Sequence, residues 1–214
     1  MSQFFDQLID RLANRLKLPL PGEAAHQDME ACFADYLNLR PNAQTRRSAV
    51  MMLLYPEGNT IYFPLILRSS YDGFHSGEVG FPGGRYELTD GDLINTALRE
   101  TQEELGIKAE EIKVLGLLTE IFIGPSNFFV LPVIGYLSQR PEFLPDAREV
   151  RDVLEISLDY ISDPDVIGLS RIEIPGDQVL TPHYHFKGRK IWGATAKIIR
   201  ELLMLLGDDL SLSK

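Results

Sequence analysis

Three glutamates lie close together in the middle of the chain. Glu100, Glu103 and Glu104 are spaced i, i+3 and i+4, so a helix places all three carboxylates on one side. Like charges at that spacing are destabilising unless something neutralises them. Mg²⁺ and Mn²⁺ prefer oxygen ligands. The spacing therefore predicts a site for a hard divalent cation rather than an ordinary solvated helix face.

The residues around the three glutamates indicate how that helix is held. Gly83-Gly84 lies just upstream, and glycine lets the backbone come close to the same site. Thr89 followed by Asp92 resembles a capping box, which would start a helix at a fixed place. Gly106 suits the end of the helix. We therefore expect a helix over residues 92–105, beside a glycine-rich turn.

Apolar runs elsewhere predict the elements that must position this helix. Strands are predicted at 48–55, 61–67, 78–81, 114–122, 128–137, 150–158, 171–174 and 178–186, and a further helix at 192–206. Strands and helices interleave without the regular alternation of a parallel doubly wound sheet. The predicted fold class is therefore a mixed α/β (α+β) domain.

The first 45 residues have a helical character of their own. Apolar residues fall three or four apart at Phe5, Leu8, Ile9, Leu12 and Leu16. This spacing predicts an amphipathic helix, packed on the domain or on a second subunit, so a homodimer is reasonable. A second short helix is expected over 27–39. We take residues 1–45 as an N-terminal helical extension and 46–214 as the main domain, together one structural unit.

The net charge of the chain limits the kinds of partner that we expect it to bind. The 214 residues include 21 Lys and Arg and 31 Asp and Glu, a net charge of −10. That field repels nucleic-acid backbones and anionic lipids, so we expect neither as a partner. No apolar stretch reaches the length of a membrane span. The single cysteine, Cys32, cannot form an internal disulfide, which favours a cytoplasmic location.

The segment from Gly84 to Ile107 resembles the Nudix box. The pattern is Gly, five residues, Glu, seven residues, Arg-Glu, an apolar residue, any residue, Glu-Glu, any residue, Gly and an apolar residue. The matching positions are Gly84, Arg99, Glu100, Glu103, Glu104, Gly106 and Ile107. The first acidic position is Asp90, with eight residues before Arg99, and Thr101 replaces an apolar residue.

This resemblance implies an α/β/α sandwich built on a mixed β-sheet, to which the N-terminal helices are added. It also implies a bound Mg²⁺ or Mn²⁺, whose ligands would be Glu100, Glu103, Glu104 and Gly84. Arg99 would orient the carboxylates by hydrogen bonding, so that Arg99 and the three glutamates form the catalytic set.

The residues before the box resemble the coenzyme A diphosphatase (CoA pyrophosphatase) branch of the Nudix hydrolases. The positions that match are Arg68, Ser69, His75, Gly77, Phe81, Pro82, Gly83 and Gly84. The chain departs from that pattern at Pro64, Ile66 and Gly73, where a leucine, a threonine and a basic residue are usual. The resemblance spans roughly residues 46–206. The expected substrate-binding set is Arg68, His75 and Phe81, which fall on positions of that branch, together with Arg85, which, like Arg68 or the 187–190 segment, could supply the positive charge absent at Gly73.

The implied reaction is hydrolysis of a diphosphate that joins two organic groups. Coenzyme A or acyl-CoA would give 3′,5′-ADP and 4′-(acyl)phosphopantetheine. Alternatives are another nucleoside diphosphate derivative, such as ADP-ribose or a dinucleoside polyphosphate, and a non-catalytic binding module with the same fold. If a protein base assists the attacking water, the carboxylates available are Glu78, Glu87, Glu120 and Glu149.

Two histidines in the last strand region also have a spacing that could bind a metal. On a strand, His183 and His185 would face the same side. No cysteine or third histidine lies nearby to complete a zinc site. We therefore interpret them as polar positions on a surface strand.

Overall fold

Apolar stretches of the chain build a mixed β-sheet, which the computed structural model describes for residues 3–30, 39–69, 77–174 and 177–207. The strands are β1 (Arg46–Glu57), β2 (Thr60–Arg68), β3 (Val79–Gly80), β4 (Gly83–Arg85), β5 (Lys113–Leu117), β6 (Ile121–Ile123), β7 (Phe128–Tyr136), β8 (Val150–Ser157), β9 (Ile167–Ile174), β10 (Asp177–Phe186) and β11 (Arg189–Ile191). The helices are α1 (Gln3–Arg15), α2 (Glu23–Gln27), α3 (Leu93–Leu105), α4 (Leu158–Ile161) and α5 (Gly193–Leu206).

The main sheet is ordered β3-β2-β1-β7-β5, with β4 paired to β1, β6 to β7 and β8 to β2. β1 and β7 are parallel and the other pairs are antiparallel. Every residue of β1 from Met51 to Tyr55 is fully buried, as expected for a central strand covered on both faces. β9, β10 and β11 form a separate antiparallel sheet.

Successive residues of β1 contribute to two different apolar clusters. Met51 and Leu53 pack with Ala97 and other residues of α3 on one face. Met52 and Leu54 pack on the other face with residues of α1 and α5. This alternation gives three layers, and α3 is the one helix of the described residues that packs on the face of the sheet nearest the glutamates. The predicted α/β/α sandwich with a mixed sheet is confirmed.

The N-terminal helix packs on its own chain. The buried face of α1 consists of Phe5, Leu8, Ile9 and Leu12, and it belongs to the same cluster as the sheet and α5. The Arg15 guanidinium donates to the Leu206 carbonyl oxygen at the C-terminal end of α5 (2.6 Å), where a positive charge is favoured. Because this apolar face is already covered, it gives no support to a homodimer.

Two predicted elements differ from the structure. α2 spans Glu23–Gln27 and ends where the second helix was expected to begin, while residues 31–38 of the helix expected over 27–39 lie outside the described part of the chain. The strand expected over 114–122 is two strands, β5 and β6, which pair with successive parts of β7. No helix in the described residues has the length and apolarity that a membrane span requires.

Candidate active site

The helix that carries the three glutamates begins and ends at well-defined caps. The carboxylate of Asp92, just before α3, accepts a hydrogen bond from the Asn95 amide (2.8 Å). At the other end, Gly106 adopts a left-handed conformation (φ 73°) and its amide bonds to the Gln102 carbonyl oxygen. The expected capping box of Thr89 and Asp92 is wrong, because Asp92 caps the helix alone.

The glycine pair on β4 touches the carboxylates directly. A methyl group at Gly84 would overlap the carboxylate of Glu100, so only glycine permits this approach. Gly83 has φ 155°, and a side chain there would overlap the Ala49 carbonyl oxygen on β1. Close packing on both sides therefore places the backbone of β4 against the acidic face of α3.

Glu104 is buried where β2, β4 and α3 meet. Its side chain is 1% exposed and accepts hydrogen bonds from the Gly83 amide (2.7 Å) and from Nη1 of Arg68 (3.0 Å). Nη2 of the same arginine donates to the Gly83 carbonyl oxygen (2.8 Å). Burial raises the pKa of Glu104 to about 7, although Arg68 and the Gly83 amide act in the opposite direction.

Glu100 and Glu103 share one arginine nitrogen. Nη1 of Arg99 lies 2.9 Å from Oε1 of Glu100 and 2.9 Å from Oε2 of Glu103. The side chain of Glu100 is 13% exposed and that of Glu103 is 56% exposed. Burial raises the pKa of Glu100, Arg99 opposes the rise, and the neighbouring charges of Glu103 and Glu149 add to it. The acidic face therefore carries more negative charge than the arginines neutralise.

Asp90 holds Arg99 in place from a short 3₁₀ turn, Leu88–Asp90. Nε and Nη2 of Arg99 donate to its two carboxylate oxygens at 2.8 and 3.2 Å. This hydrogen-bonded pairing lowers the pKa of Asp90 to about 2. Sequence reasoning assigned no role to Asp90, although its place at the first acidic position of the motif was a signal for one.

The four residues expected to bind substrate occupy different environments. Arg85 is exposed on β4, and its carbonyl oxygen accepts from Nη2 of Arg99 (3.1 Å). Arg68 points inward to Glu104 and Gly83, a pairing that sequence reasoning missed. Phe81 is 2% exposed and packs on Phe63, so its ring supports the loop, contrary to the expected contact with substrate. His75 lies outside the described residues.

The four carboxylates that were considered as a general base also lie in different environments. Glu149 is close enough to raise the pKa values of both Glu100 and Glu104 by its charge. Glu120 pairs with Arg47. The side chain of Glu87 caps the 3₁₀ turn at Asp90. Glu78 precedes β3, and its carbonyl oxygen accepts from the Arg68 amide (3.0 Å). Glu149 is therefore the candidate base with a described electrostatic link to Glu100 and Glu104.

A cleft of about 430 Å³ lies near the N-terminal end of β1. Its lining residues are Pro41, Asn42, Thr45, Arg47, Glu120 and Phe129. The Arg47 carbonyl oxygen accepts from the Tyr86 amide (3.0 Å), next to Arg85 on β4. The cleft therefore opens beside the strand that carries the glycine pair, and its volume is in the range of small-molecule sites.

The donor set on α3 suits a hard divalent cation. Glu104 is buried and Glu100 is partly buried; both have raised pKa values and lie against the backbone of Gly83 and Gly84. In the described residues, no three His, Cys, Asp or Glu side chains are arranged as a closed metal site. Mg²⁺ usually keeps several of its water ligands and binds to one or two carboxylates and to substrate phosphates, so the residues on α3 fit such an ion.

Comparisons with known proteins agree with this geometry. The NUDIX domain model matches residues 45–160, a little over half of the chain. A protein of Pectobacterium atrosepticum named "Uncharacterized Nudix hydrolase NudL" is 34% identical over 178 residues, covering 80% of this chain and 88% of its own. A protein of the same name from Yersinia pestis (strain Pestoides F) is 32% identical over 203 residues, covering 92% and 94%.

A solved structure supports the same fold. The Nudix hydrolase RenU from M. smegmatis superposes with a TM-score of 0.52 at 17% identity, covering 76% of this chain and 88% of its own. The family model, the relatives and the arrangement of α3 against the glycine pair point to one conclusion. The chain belongs to the Nudix hydrolase family, whose members use divalent metal ions to hydrolyse the pyrophosphate bonds of nucleoside diphosphate derivatives.

Proposed function

We propose that this protein is a Mg²⁺- or Mn²⁺-dependent hydrolase of coenzyme A or acyl-CoA, and that it releases 3′,5′-ADP and 4′-(acyl)phosphopantetheine. The observation that carries the proposal is the incompletely neutralised pair formed by the buried Glu104 and the partly buried Glu100 against Gly83 and Gly84. The choice of coenzyme A rests on the likeness of residues 65–84 to the coenzyme A diphosphatase branch.

In this proposal Glu100, Glu103 and Glu104 hold the cation together with the backbone of Gly84. The bound cation neutralises diphosphate oxygens and lowers the pKa of a water molecule. Arg99 keeps Glu100 and Glu103 on the same side of α3 through one nitrogen, and Asp90 keeps Arg99 from turning away. The backbone of β4 excludes bulk water from one side of the carboxylates.

Arg68 is a positioning residue in this scheme rather than a substrate contact. It bonds to Glu104 with one nitrogen and to the Gly83 carbonyl oxygen with the other. A planar guanidinium fixes the carboxylate and the glycine turn relative to each other, which a single ammonium group cannot do. Through these bonds, Arg68 links the segment before the Nudix box to the box itself.

Glu149 is the carboxylate that we propose as the base. Its charge acts on Glu100 and Glu104, and its carbonyl oxygen accepts from the Ser69 amide (2.8 Å) at the end of β2. A base in this position receives the proton of the attacking water while the cation balances its charge. Glu120 and Glu87 are already engaged by Arg47 and by the 3₁₀ turn.

The cleft beside β4 supplies a place for the nucleoside half of the substrate. Phe129 offers an aromatic face and the exposed Arg85 offers positive charge in a protein whose net charge is −10, whereas Arg47 is paired with Glu120. A substrate that carries several phosphates needs such local cations. In this proposal the diphosphate lies between this cleft and α3.

The test is mass spectrometry of the products formed from coenzyme A and, separately, from ADP-ribose, each with Mg²⁺ or Mn²⁺. The proposal expects 3′,5′-ADP and phosphopantetheine from coenzyme A, with a higher kcat/KM than for ADP-ribose. Cleavage of ADP-ribose alone would move the substrate to the alternative class. Cleavage of neither would favour a binding module.

A variant tests the metal site separately. Glu103→Gln keeps the size of the side chain and removes its charge, and Glu110→Gln does the same at an exposed position after α3. Turnover should fall in the first variant and stay unchanged in the second. Equal turnover in Glu103→Gln and wild type would refute the assignment of the metal ligands.

A further inference from the structure

Two histidine rings meet on one face of the β9–β11 sheet. The Nε2 atoms of His183 and His185 are 3.0 Å apart, and the rings stand edge to face at 4.4 Å between centroids. His183 is 1% exposed, so its interpretation as a surface residue is wrong, whereas His185 is exposed. β10 lies beyond residues 45–160, and the proposed hydrolysis uses neither ring.

The hydrogen bonding of His183 determines which of its nitrogens is free. Nδ1 lies 3.3 Å from the Thr181 carbonyl oxygen, which can only accept, so Nδ1 carries the proton. Neutral His183 therefore presents a lone pair at Nε2. A backbone carbonyl bonded to one nitrogen is the usual way in which a metal-binding histidine is oriented.

The geometry of the pair is close to that of a chelate. Two imidazole nitrogens bound at about 2.0–2.1 Å to one tetrahedral ion lie about 3.3 Å apart, so the observed 3.0 Å needs to open by only a few tenths of an ångström. Without a metal, His185 donates from Nε2 to His183. With a metal, that proton moves through solvent to Nδ1 of His185, and no net charge changes on either ring.

The neighbouring strand leaves room for both rings. Gly168 on β9 pairs with His183, and a Cβ at that position would lie 2.6 Å from Nε2 of His185 and 3.1 Å from Nε2 of His183. Ser170 is two residues along on the same face, and its buried hydroxyl has no hydrogen-bond partner among the described residues. An unpaired hydroxyl of this kind is suited to bind a water ligand.

From this arrangement we propose that His183 and His185 form a binding site for a divalent transition-metal ion such as Zn²⁺, distinct from the carboxylate site on α3. The two Nε2 atoms are the protein ligands, and water fills the remaining positions. Imidazole nitrogens select Zn²⁺, Cu²⁺ and Ni²⁺, whereas the carboxylates of α3 select Mg²⁺ and Mn²⁺. The chain would therefore hold two kinds of metal at separate places.

The experiment uses the full chain without an affinity tag, stripped with a chelator and titrated with Zn²⁺ against a chromophoric competitor. Wild type is compared with His183→Gln, His185→Gln and Lys190→Gln, in which the last variant removes an exposed charge opposite His185 and keeps both rings. Each histidine variant should bind Zn²⁺ at least about tenfold more weakly, whereas Lys190→Gln should bind it no more weakly than wild type, because that variant removes a positive charge that acts on His183. Because His185 is exposed, its variant tests the site even if His183→Gln does not fold.

Zinc X-ray absorption then identifies the ligands. Zn²⁺ held at α3 would be present equally in all four proteins and would show oxygen ligands, so the differences between variants report the histidine pair. The expected result is two imidazole nitrogens at about 2.0–2.1 Å in wild type and fewer in His185→Gln. The proposal is overturned if wild-type Zn²⁺ has no imidazole ligand, or if its affinity is the same in His185→Gln.

Discussion

Two buried glutamates, each on a different helix, have very different surroundings. Glu201 on α5 is fully buried and Glu104 on α3 is 1% exposed. Burial by itself favours the neutral form of both carboxylates. Their surroundings nevertheless move their pKa values in opposite directions, so burial alone does not decide the role of either residue.

Glu201 is surrounded by donors. Its oxygens accept from the Gly22 amide (3.2 Å), from Nε2 of His26 (3.1 Å) and from both the amide and the hydroxyl of Thr119. Burial acts to raise its pKa, but the hydrogen bonds from His26 and Thr119 outweigh burial and lower it. The group ties the N-terminal segment and the β5–β6 connection to α5, which is a structural role.

Glu104 has fewer donors and a like charge beside it. Arg68 and the Gly83 amide are its partners, while Glu100 and Glu149 repel it, and its pKa is about 7. The stability of the core gives no reason to keep a buried carboxylate whose pKa is raised in this way. A buried carboxylate that remains short of positive charge is therefore a functional signal, whereas one that is fully hydrogen-bonded is not.

The largest expected effect is the loss of catalytic activity in the variant Glu104→Gln. The amide keeps the shape but cannot contribute a negative charge to the cation, so kcat/KM with Mg²⁺ should fall about 1,000-fold, or about 4 kcal/mol. The free energy of unfolding should fall by only about 1 kcal/mol, because the loss of a buried charge offsets part of the cost of leaving either Arg68 or the Gly83 amide without an acceptor. Steady-state kinetics and urea unfolding measure the two quantities, with Glu110→Gln as the control. A variant retaining a tenth of the activity would contradict the assignment.

For Glu201→Ala we expect a loss of stability with little loss of activity. The donors of Gly22, His26 and Thr119 lose their acceptor in a buried place, so the free energy of unfolding should fall by about 3 kcal/mol. At a temperature where the variant is folded, kcat should stay within about twofold of wild type. Urea unfolding and kinetics on the same preparation test this. A loss of activity without a loss of stability would show that the two regions are not separate.

Arg68→Lys should have a smaller effect on the active site. Lysine keeps the charge but cannot bond to Glu104 and to the Gly83 carbonyl oxygen in the same planar arrangement. We expect kcat/KM to fall about tenfold, with a higher Mg²⁺ concentration needed for half-maximal rate. Rates measured across a Mg²⁺ series test this, and Arg151→Lys, at an exposed position, is the control. An unchanged Mg²⁺ requirement would argue against a positioning role.

Much of the fold could be predicted because its signals are local. The apolar run of β1 and the capped helix α3 appear in the sequence within a few residues of their structural limits. The break between β5 and β6 was missed because only Thr119 and Glu120 interrupt the apolar residues there. That break is set by pairing with β7, a contact between distant segments.

The distinction between local signals and contacts between distant segments applies to the active site as well. The spacing of the α3 glutamates and the preceding glycines is visible in the sequence, and the structure brings them together. The inward turn of Arg68 and the surroundings of Glu201 are not visible, because each depends on residues far away in the chain. For Glu201, the partners lie at positions 22, 26 and 119, and nothing in the apolar sequence of α5 indicates them.

The smallest expected effect is the pH dependence that Glu201 gives to stability. Because its pKa is lower in the folded chain, its ionisation contributes stability above its ordinary value of 4.5, and this is lost as the pH falls through the folded-state pKa. Glu201→Gln removes that titration and leaves Asp90 and the other acidic groups in place. The difference in unfolding free energy between wild type and Glu201→Gln should therefore shrink as the pH falls below about 4.5. A difference that grows on acidification would mean that the pKa of Glu201 is raised, and that its hydrogen bonds do not outweigh its burial.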